Sequence, residues 1–562
     1  MKQIILFLGL LLSSGTIPVD VRAQPLVGVP TARMDSLFKD WTTTQSPGAV
    51  LAIVKDGQIV YRKAYGMANV AAGEKLTPHH AFWVASMTKQ FTAMSIALLA
   101  ENGKLSVEDD IRKHLPELPY LGDTVRIRHL IHHTSGLRDG FTLIGLTFRG
   151  EKHYTSANVI RMLKKQSALN FKPGKRYEYN NGGYVLLAEI VARVSGMPFD
   201  SYVASHIFQP LGMTQSRIIS QLDNKYPNLA RGYESTYKKG RPTYKRKHFK
   251  GNTYGSTGLV TTVDDLIQWD ANFYRNRLGK GNQELIKQVM ESGLLNDGTH
   301  TAYAYGLEVV DQDGVLTVSH SGADPGYKAE MVRFPEHRLT LICLANTGNM
   351  WSLTQKLLLM GEWMIKGETH LPAAHLTKAS PAPVTDLDGI YLHPQNKADI
   401  RFVSETDGQL FASASMQGYK VPLVPTGTDC YQNRGLKVNR FQFERSESGQ
   451  VTGLTIYNRD QQLSLQKVQP QSYQTNELKA LAGKYYSPEL DHQYRLKVRK
   501  GKLVMSIYGL INIPLLPLEK YRFAADLMGN NSFEFQTDAA GSPTGFTFSR
   551  AAVTNLHFKK IK

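Results

Sequence analysis

The chain has 562 residues, of which 42% are hydrophobic and 20% are charged. This composition excludes a wholly disordered chain, and the length allows two or more domains with a large core. The formal net charge of +18 would suit a polyanionic partner, but no nucleic-acid-binding motif accompanies it, so we expect no nucleic-acid partner.

The first 23 residues have the pattern of a secretory signal peptide. Lys2 precedes a short apolar run, and Val21-Arg22-Ala23 ends in a small residue that suits signal cleavage. The apolar run from Ile4 to Leu12 is too short to span a bilayer, and no later segment is long enough. We therefore expect an exported protein, periplasmic or extracellular, without a transmembrane segment.

A hairpin and then a series of helices are predicted after the signal peptide. Two apolar, β-branched runs flank Asp56-Gly57, a dipeptide that favours a tight hairpin turn. From Ser86 onward, apolar residues recur at helical spacing until Asn102-Gly103. Helical stretches dominate residues 108–300 and include a predicted helix over residues 184–194, which ends at a glycine.

Strands return near Tyr305, and a closing helix is predicted from Trp351. The predicted strands are Y-G-L-E-V-V, V-L-T-V-S-H, Y-K-A-E-M-V-R-F and L-T-L-I-C-L-A-N. Because strands lie at both ends of residues 24–370, we expect one antiparallel sheet built from both ends and covered by a helical subdomain. The fold class of this predicted domain is α+β.

The densest basic run occupies residues 238–250. It contains Gly240, Pro242 and two aromatic residues and lacks helical periodicity, so we expect a solvated loop.

The chain has two cysteines, Cys343 and Cys430. Since a large core needs no disulfide, we expect a buried free thiol at Cys343. The cysteines give no zinc signature, and the adjacent histidine pairs lack the H-E-x-x-H spacing, so no metal or cofactor is expected.

The C-terminal part is all-β and contains an internal repeat. It follows a linker punctuated by prolines, predicted over residues 371–384. L-D-G-I-Y-L-H-P from Leu387 returns as L-A-G-K-Y-Y-S-P from Leu481, and two further landmarks recur in the same order. We therefore expect two all-β, barrel-like modules, residues 385–475 and 476–562.

The spacing S-x-x-K occurs four times and can pair a serine nucleophile with a lysine base. Ser36, Ser235 and Ser464 lie before the core, in the basic run and among the repeats. Ser86 stands at the start of a predicted helix, where free backbone N–H groups favour developing negative charge. Lys89 lies one turn further on the same face. Alone, the motif is more typical of a capping serine beside a solvated lysine.

Two further elements accompany Ser86 and Lys89. Tyr179-Asn180-Asn181 is predicted in a loop before the helix near Tyr184, where it can supply a second proton-transfer group and a substrate hydrogen bond. His320-Ser321-Gly322 is predicted at the end of a strand, where the glycine admits close approach of a backbone and a neighbouring N–H can complete an oxyanion hole. Each triplet alone is a weak signal, since the first is also typical of a capping turn.

In this order, S-M-T-K at Ser86, Y-N-N at Tyr179 and H-S-G at His320 resemble the motifs of the serine β-lactamase and penicillin-binding-protein family. The resemblance covers residues 35–367. It is closest to the branch that contains class C β-lactamases, D,D-peptidases, esterases and D-aminopeptidases. H-T-S-G-L at His133 and G-S-T-G-L-V-T-T-V-D-D-L at Gly255 are further family-like strings.

The resemblance implies an acyl-enzyme formed at Ser86. Lys89 and Tyr179 would share the general-base and general-acid roles, and which of them deprotonates the serine stays open.

The resemblance also implies a set of substrate-binding residues. Asn181 would bind the substrate amide, and the backbone N–H groups of Ser86 and Ala323, beside Gly322, would form the oxyanion hole. His320 would face the substrate, whereas His132 and His133 are expected to tie a loop.

His320 departs from the pattern of most family members, which have lysine at this position. Because histidine is only partly charged near neutral pH, it is a poorer anchor for a substrate carboxylate. In this respect the sequence resembles the esterase and D-aminopeptidase members, and the latter also carry two C-terminal β-barrel domains.

We therefore expect a secreted serine hydrolase that acts on D-amino-acid-containing peptides or on esters. The alternatives are a β-lactamase or D,D-carboxypeptidase, and a non-catalytic cell-envelope protein that binds peptidoglycan or a β-lactam. The expected partner is a small molecule or peptide with an acyl group, with peptidoglycan as a candidate.

Overall fold

The computed structural model describes residues 30–41, 43–220, 226–238, 241–312, 314–348, 353–366, 386–394, 399–414, 420–433, 439–458, 461–526, 530–550 and 552–562. The predicted signal peptide and the predicted linker over residues 371–384 lie outside the described residues, and the predicted domain boundaries stay predictions. Within the described ranges, no helix combines the length and apolar character needed to cross a membrane.

The part of the chain up to residue 366 mixes helices and strands. The helices are α1 (Thr31–Ser36), α2 (Thr88–Glu101), α3 (Ile127–Ile131), α4 (Gly140–Gly145), α5 (Ser156–Lys164), α6 (Asn181–Ser195), α7 (Phe199–Val203), α8 (Gln209–Leu211), α9 (Val263–Tyr274), α10 (Gln283–Met290) and α11 (Leu353–Lys366). The strands are β1 (Ala49–Lys55), β2 (Gln58–Tyr65), β3 (Met67–Asn69), β4 (Glu74–Lys75), β5 (Phe82–Trp83), β6 (Arg217–Ile218), β7 (Tyr233–Lys238), β8 (Arg241–Arg246), β9 (Leu259–Thr261), β10 (Glu308–Gln312), β11 (Val315–Asp324), β12 (Tyr327–Phe334) and β13 (Leu339–Ala345).

One antiparallel sheet is built from both ends of this region, as predicted. Its order is β10-β11-β12-β13-β1-β2, and β1 pairs with β13 so that Ala49 lies opposite Ala345. The turn between β1 and β2 falls at Asp56 and Gly57, whose φ angles of 52° and 77° suit a two-residue hairpin. Because the paired strands β1 and β13 come from opposite ends of the region, the six-stranded sheet forms only when both ends are present.

The sheet separates two layers of core. One face packs against α1 and α11 through buried residues that include Met34, Phe38, Leu357 and Trp363. The other face packs against the remaining helices, with α2 at their centre. Every residue of α2 from Thr88 to Leu99 is buried, so this helix is enclosed on all sides.

Residues 241–246 of the basic run form β8, so the expectation of a loop was wrong for this part, whereas residues 247–250 form neither a helix nor a strand. β7 and β8 pair as antiparallel strands, with Glu234 opposite Lys245. The Thr236 and Thr243 hydroxyls lie 2.8 Å apart across the pair. Cross-strand hydroxyl and opposite-charge pairs stabilise a strand pair even where many residues are basic.

Cys343 is a buried free thiol in β13, which confirms the prediction, and Cys430 is also unpaired. Burial raises the pKa of the Cys343 thiol, so it stays protonated at neutral pH.

The C-terminal repeats form two closed eight-stranded barrels, which confirms the predicted fold class. The first barrel comprises β14 (Gly389–Leu392), β15 (Ile400–Thr406), β16 (Gln409–Ser413), β17 (Val421–Gly427), β18 (Cys430–Asn433), β19 (Arg440–Arg445), β20 (Val451–Asn458) and β21 (Gln461–Val468). After α12 (Thr475–Leu481), the second comprises β22 (Gly483–Ser487), β23 (His492–Arg499), β24 (Lys502–Ile507), β25 (Ile511–Glu519), β26 (Arg522–Asp526), β27 (Asn530–Thr537), β28 (Pro543–Arg550) and β29 (Val553–Ile561).

The repeated string L-x-G-x-Y has the same structural role in both barrels. The hydroxyl of Tyr391 donates to the carbonyl of Leu387 at 2.7 Å, and that of Tyr485 donates to Leu481 at 2.8 Å. Each tyrosine is buried, so this bond satisfies its hydroxyl inside the barrel. The sequence repeat therefore reflects a repeated closure of the barrel core.

A buried ion pair joins α9 to β12. Asp270 Oδ1 lies 2.7 Å from Arg333 Nε, and the two side chains are 4% and 2% exposed. The Thr340 hydroxyl donates to the same oxygen at 3.0 Å. Burial raises the pKa of Asp270, while Arg333 acts in the opposite direction.

Asp270→Ala is expected to lower the free energy of unfolding by about 3–5 kcal/mol, because it leaves the Arg333 guanidinium buried without its partner. Asp264→Ala serves as the control, since it breaks half-exposed contacts with Arg62 and His79 and is expected to cost at most about 1 kcal/mol. Urea unfolding followed by tryptophan fluorescence measures both variants. Equal destabilisation by the two substitutions would contradict the assignment.

Candidate active site

Ser86 lies on a strained turn that leads directly into α2. The turn spans Ala85–Met87, and Ala85 has a φ of 47°, in the left-handed region that side chains other than glycine rarely adopt. Ala85 and Met87 are buried, whereas Ser86 is half-buried. The turn therefore presents the Ser86 hydroxyl at the start of the central helix while its neighbours anchor the backbone in the core.

The Lys89 amine is buried against three oxygen atoms. Its Nζ lies 3.1 Å from Ser86 Oγ, and it donates to Asn181 Oδ1 and to the Ser256 carbonyl, each at 2.9 Å. The side chain is fully enclosed. Burial lowers the pKa of Lys89 to about 7, while the Asp324 and Asp139 carboxylates oppose this effect. Near neutral pH a large fraction of the amine is therefore neutral and able to accept a proton.

Tyr179 also lies beside Ser86. The two side chains are within hydrogen-bonding reach, and Lys89 Nζ lies 4.8 Å from the centre of the Tyr179 ring. Burial raises the pKa of the Tyr179 phenol, although its hydrogen bond with Ser86 acts in the opposite direction. At neutral pH the phenol is thus protonated and can donate a hydrogen bond or a proton.

His133 ties down the segment that carries Tyr179. Its Nδ1 accepts from the Asn180 backbone N–H at 3.1 Å, and its carbonyl accepts from the Glu178 N–H at 2.8 Å. The His133 and Tyr179 rings lie 4.3 Å apart. Burial holds the pKa of His133 well below its usual value, with Lys89 acting in the same direction, so the ring is neutral. This geometry matches the loop-tying role expected from the sequence.

Helix α6 begins at Asn181, three residues before the predicted start near Tyr184. Asn180 caps the helix, because its Oδ1 accepts from the Gly183 N–H at 2.9 Å. Asp139 Oδ1 accepts from the Gly182 N–H at 2.8 Å. These two bonds hold the first turn of α6 so that the Asn181 side chain reaches Lys89.

Strand β11 forms the wall of the site opposite α6 and runs to Asp324, so His320-Ser321-Gly322 lies inside the strand rather than at its end. β10 pairs with β11 only up to Ser319. Within the described residues, the part of β11 from His320 to Asp324 therefore has β12 as its one ladder partner. Ala323 is exposed on this segment.

Gly322 allows β11 to touch the segment that precedes Ser86. A Cβ atom at Gly322 would lie 2.0 Å from the carbonyl oxygen of Val84. Any side chain there would push β11 away from the turn that carries Ser86. Only glycine leaves enough space at this position.

His320 is buried, with contacts at both ring nitrogens. Nδ1 lies 2.6 Å from the Ser321 carbonyl, and Nε2 lies 2.9 Å from the Tyr303 hydroxyl. A carbonyl oxygen can only accept, so Nδ1 carries hydrogen, and in the neutral ring Nε2 accepts from Tyr303. The ring is thus held in place by two polar contacts.

Three residues that the sequence analysis did not single out complete the surroundings. They are Ser256, Tyr303 and Asp324. Asp324 accepts from Trp83 Nε1 at 2.7 Å and from the Thr257 hydroxyl at 2.8 Å. Burial raises the pKa of Asp324, while these two bonds oppose the rise. Ser256 lies in the family-like string at Gly255, which was a usable signal, whereas no sequence pattern indicates Tyr303 or Asp324.

The structure therefore brings together Ser86, Lys89, Tyr179 and Asn181, with β11 alongside. Among the described residues, no cluster of three or more metal-binding side chains could hold a metal ion. The arrangement places the Ser86 hydroxyl beside a partly neutral amine and a protonated phenol.

This chain is similar in sequence to known proteins over spans of different length. The beta-lactamase family profile matches residues 34–357. A penicillin-binding protein from Bacillus subtilis is 31% identical over 339 residues, which cover 58% of this chain and 74% of the relative. A D-aminopeptidase from Brucella melitensis is 24% identical over 534 residues, which cover 92% of this chain and 96% of the relative.

A solved structure shares the fold. The octameric penicillin-binding protein homologue from Pyrococcus abyssi matches with a TM-score of 0.56 and 24% identity, over 77% of this chain and 100% of that one. Because the family profile spans more than half of the chain, the sequence match and the fold agree: this chain belongs to the beta-lactamase family.

Proposed function

We propose that this chain is a serine hydrolase that forms an acyl-enzyme at Ser86 and acts on amides or esters of D-amino acids. The observation that carries the proposal is the buried Lys89 amine, 3.1 Å from Ser86 Oγ and with a pKa of about 7. A lysine that is partly neutral at working pH and touches a serine hydroxyl is a competent general base.

In acylation, Ser86 Oγ attacks the substrate carbonyl carbon while Lys89 Nζ takes the hydroxyl proton. The tetrahedral oxyanion accepts from the backbone N–H groups of Ser86 and Ala323, which stabilise its charge. Collapse of the intermediate breaks the bond to the amine or alcohol, which leaves with a proton from the Tyr179 phenol. The Lys89 proton then returns to Tyr179, so both groups regain their starting states.

In deacylation, water attacks the ester carbonyl and gives a proton to the same base. The Ser86 oxygen leaves with a proton and the acid product departs. Asn181 holds the Lys89 amine through its Oδ1 and offers its amide N–H to the acyl part of the substrate. Lys89 therefore serves as the base in both half-reactions, and in deacylation it returns the proton to the departing Ser86 oxygen.

Two observations favour D-amino-acid amides and esters as substrates. His320 replaces a fixed cation with a ring whose nitrogens already contact Tyr303 and Ser321, so it offers a weak anchor to a substrate carboxylate. The D-aminopeptidase relative aligns with 92% of this chain, a span that reaches into the C-terminal barrels.

A β-lactamase or D,D-carboxypeptidase is the second candidate. The Bacillus subtilis penicillin-binding protein has the higher identity of the two relatives, 31%, over a span close in length to the predicted catalytic domain. A β-lactam probe therefore belongs in the first experiment.

Ser86→Ala is expected to abolish reaction with acyl probes. Wild-type protein is incubated with a fluorescent penicillin, with p-nitrophenyl acetate and with D-alanine p-nitroanilide, and any adduct is mapped by mass spectrometry. We expect an adduct or turnover that maps to Ser86 and a loss of at least about 10³-fold in Ser86→Ala, because the nucleophile is removed.

Ser464→Ala is the matched control, because Ser464 shares the S-x-x-K spacing but lies in the first barrel. It should leave every rate unchanged. Activity retained in Ser86→Ala, or neither adduct nor turnover in the wild type, would contradict the proposal and favour a non-catalytic binding protein. Stable penicillin labelling without anilide turnover would favour the second candidate.

The acid limb of kcat/KM for ester hydrolysis is expected near pH 7. Lys89 must be neutral to accept a proton, so the rate rises as pH increases through its pKa of about 7 and falls below it. His129 and His132 cannot cause this limb, since burial lowers both pKa values to about 4. The limb should persist in His320→Gln, and its disappearance there would contradict the assignment to Lys89.

His320→Lys is expected to raise kcat/KM for substrates with a free carboxylate, relative to their amides, by about tenfold. A lysine would provide a charge-assisted hydrogen bond that the histidine does not. The measurement compares paired carboxylate and amide substrates in wild type, His320→Lys and His320→Gln. An unchanged ratio in His320→Lys would refute the role given to this position.

A further inference from the structure

The second barrel docks onto the helical subdomain around one buried arginine. The Arg138 side chain is 1% exposed, and its guanidinium meets Glu489 Oε1 at 2.5 Å. It also donates to the carbonyls of Thr554 and Asn555, at 3.2 and 3.0 Å, and to Gln166 Oε1 at 2.9 Å. Most of the guanidinium's hydrogen-bonding capacity is therefore spent on the barrel.

Glu489 is held ionised at this contact. Burial raises the pKa of its carboxyl, but Arg138 and the bonds from Ser167 outweigh burial and keep the pKa below its usual value. The Ser167 N–H and hydroxyl lie 3.0 and 2.7 Å from Glu489 Oε1. The turn between β22 and β23 is thus fastened to the helical subdomain by a charge pair with little access to water.

The next residue, Asp139, faces both the barrel and the site. Its backbone N–H donates to the Ala552 carbonyl of the barrel at 2.9 Å. Its Oδ1 accepts from the Gly182 N–H at 2.8 Å, and its Oδ2 caps α4 through the Thr142 N–H at 2.9 Å. One residue therefore connects the barrel backbone to the first turn of α6.

The preceding residue, Leu137, makes a second link to α6. Its carbonyl accepts from the Asn180 side-chain amide at 2.6 Å. Asn180 and Gly182 are thus both held by the segment over residues 137–139, and Asn181 lies between them. The Asn181 Oδ1 that results from this placement is the partner of Lys89 at 2.9 Å.

Resting on the proposed function, we propose that the second barrel is part of the acylating site, and that Arg138 and Glu489 are positioning residues for Asn181 and Lys89. The barrel holds residues 137–139, these residues hold the start of α6, and Asn181 holds the Lys89 amine. Loosening the barrel contact should misplace the base without touching the nucleophile.

The charged groups around the base set how such a change appears in the pH profile. The titratable groups that face Lys89 are Asp139, Asp324, Tyr179, Tyr184 and His133. Glu308 faces Tyr179, and Arg550 of the barrel faces Asp139. Asp139 opposes the lowering of the Lys89 pKa by burial, so a displaced or neutralised Asp139 moves the acid limb to lower pH.

The interface provides its own matched control. Lys165 and Asp491 form a second ion pair across it, at 2.9 Å, but their side chains are 32% and 50% exposed. Within the described residues, Asp491 also binds the Tyr486 hydroxyl, and these contacts lie away from residues 137–139. A general weakening of the interface is therefore separable from a change in the segment behind the site.

The test compares Glu489→Gln with Asp491→Asn in the full chain. Acylation by p-nitrophenyl acetate is followed by stopped flow and normalised to active sites titrated by the burst of p-nitrophenol. We expect Glu489→Gln to lower the acylation rate constant per active site by about tenfold, with KM within about twofold, because the base is misplaced. Asp491→Asn should stay within about twofold of wild type.

Two further variants keep the test decisive. Asp139→Asn retains an oxygen for the Gly182 N–H but removes the charge, so its acid limb should lie at lower pH than that of wild type. Arg138→Met with Glu489→Leu replaces the buried pair by apolar groups, which commonly preserves folding. It should show the same loss of acylation, and it substitutes for Glu489→Gln if that variant does not fold.

Hydrogen exchange over residues 179–187 supplies a readout that needs no activity. Faster exchange in Glu489→Gln than in Asp491→Asn is expected, since the start of α6 loses its support. If wild type forms no Ser86 adduct, the proposed function fails, but exchange still decides this inference. Wild-type exchange in Glu489→Gln or its double-variant substitute, with wild-type acylation per site wherever the wild type is acylated, would overturn it.

Discussion

The burial of the Lys89 amine is the constraint on which the rest of the site depends. An exposed lysine is protonated at neutral pH and has no capacity to accept a proton, whereas the enclosed Lys89 has a pKa of about 7. Enclosure alone would leave three polar hydrogens unsatisfied, so the fold supplies oxygens from Ser86, Asn181 and Ser256. The same contacts fix the distance between the Lys89 amine and the Ser86 hydroxyl.

Meeting this constraint requires segments from across the α+β region to converge. α2 supplies Lys89, the first turn of α6 supplies Asn181, and the segment before β9 supplies the Ser256 carbonyl. β11 closes the remaining side and comes close because Gly322 has no side chain to meet the Val84 carbonyl. The sheet makes this possible, since the pairing of β1 with β13 brings the two ends of the region together.

Buried aromatic rings surround the polar groups of the site and are held in place. His133 and Tyr303 are buried aromatic groups that shape the site, and His133 is kept neutral by desolvation. His320 contacts the Tyr303 hydroxyl and the Ser321 carbonyl, so β11 carries at this position an imidazole ring that two polar contacts hold in place. Two adjacent residues connect the second barrel to the site. Arg138 pairs with Glu489 of the barrel, and Asp139 accepts a hydrogen bond from the first turn of α6.

The features of the fold that depend on local sequence patterns could be predicted from the sequence. The hairpin at Asp56-Gly57, the sheet built from both ends and the paired barrels follow from turn residues, periodicity and the L-x-G-x-Y repeat. The order of the three motifs, by resemblance to the family, also identified residues that the fold brings into contact, Ser86, Lys89, Tyr179 and Asn181.

The features of the site and fold that depend on packing between distant segments could not be predicted from the sequence. The pKa of Lys89 depends on burial and on the carboxylates of Asp139 and Asp324, which are distant from Lys89 in the chain, so no local pattern predicts it. Helix α6 begins at Asn181 rather than near Tyr184, because Asp139 and Asn180 accept hydrogen bonds from its first N–H groups. Strand β11 continues through Gly322 because it pairs with β12. Residues 241–246 of the basic run form a strand for the same reason, since their cross-strand contacts with β7 outweigh what the composition alone favours.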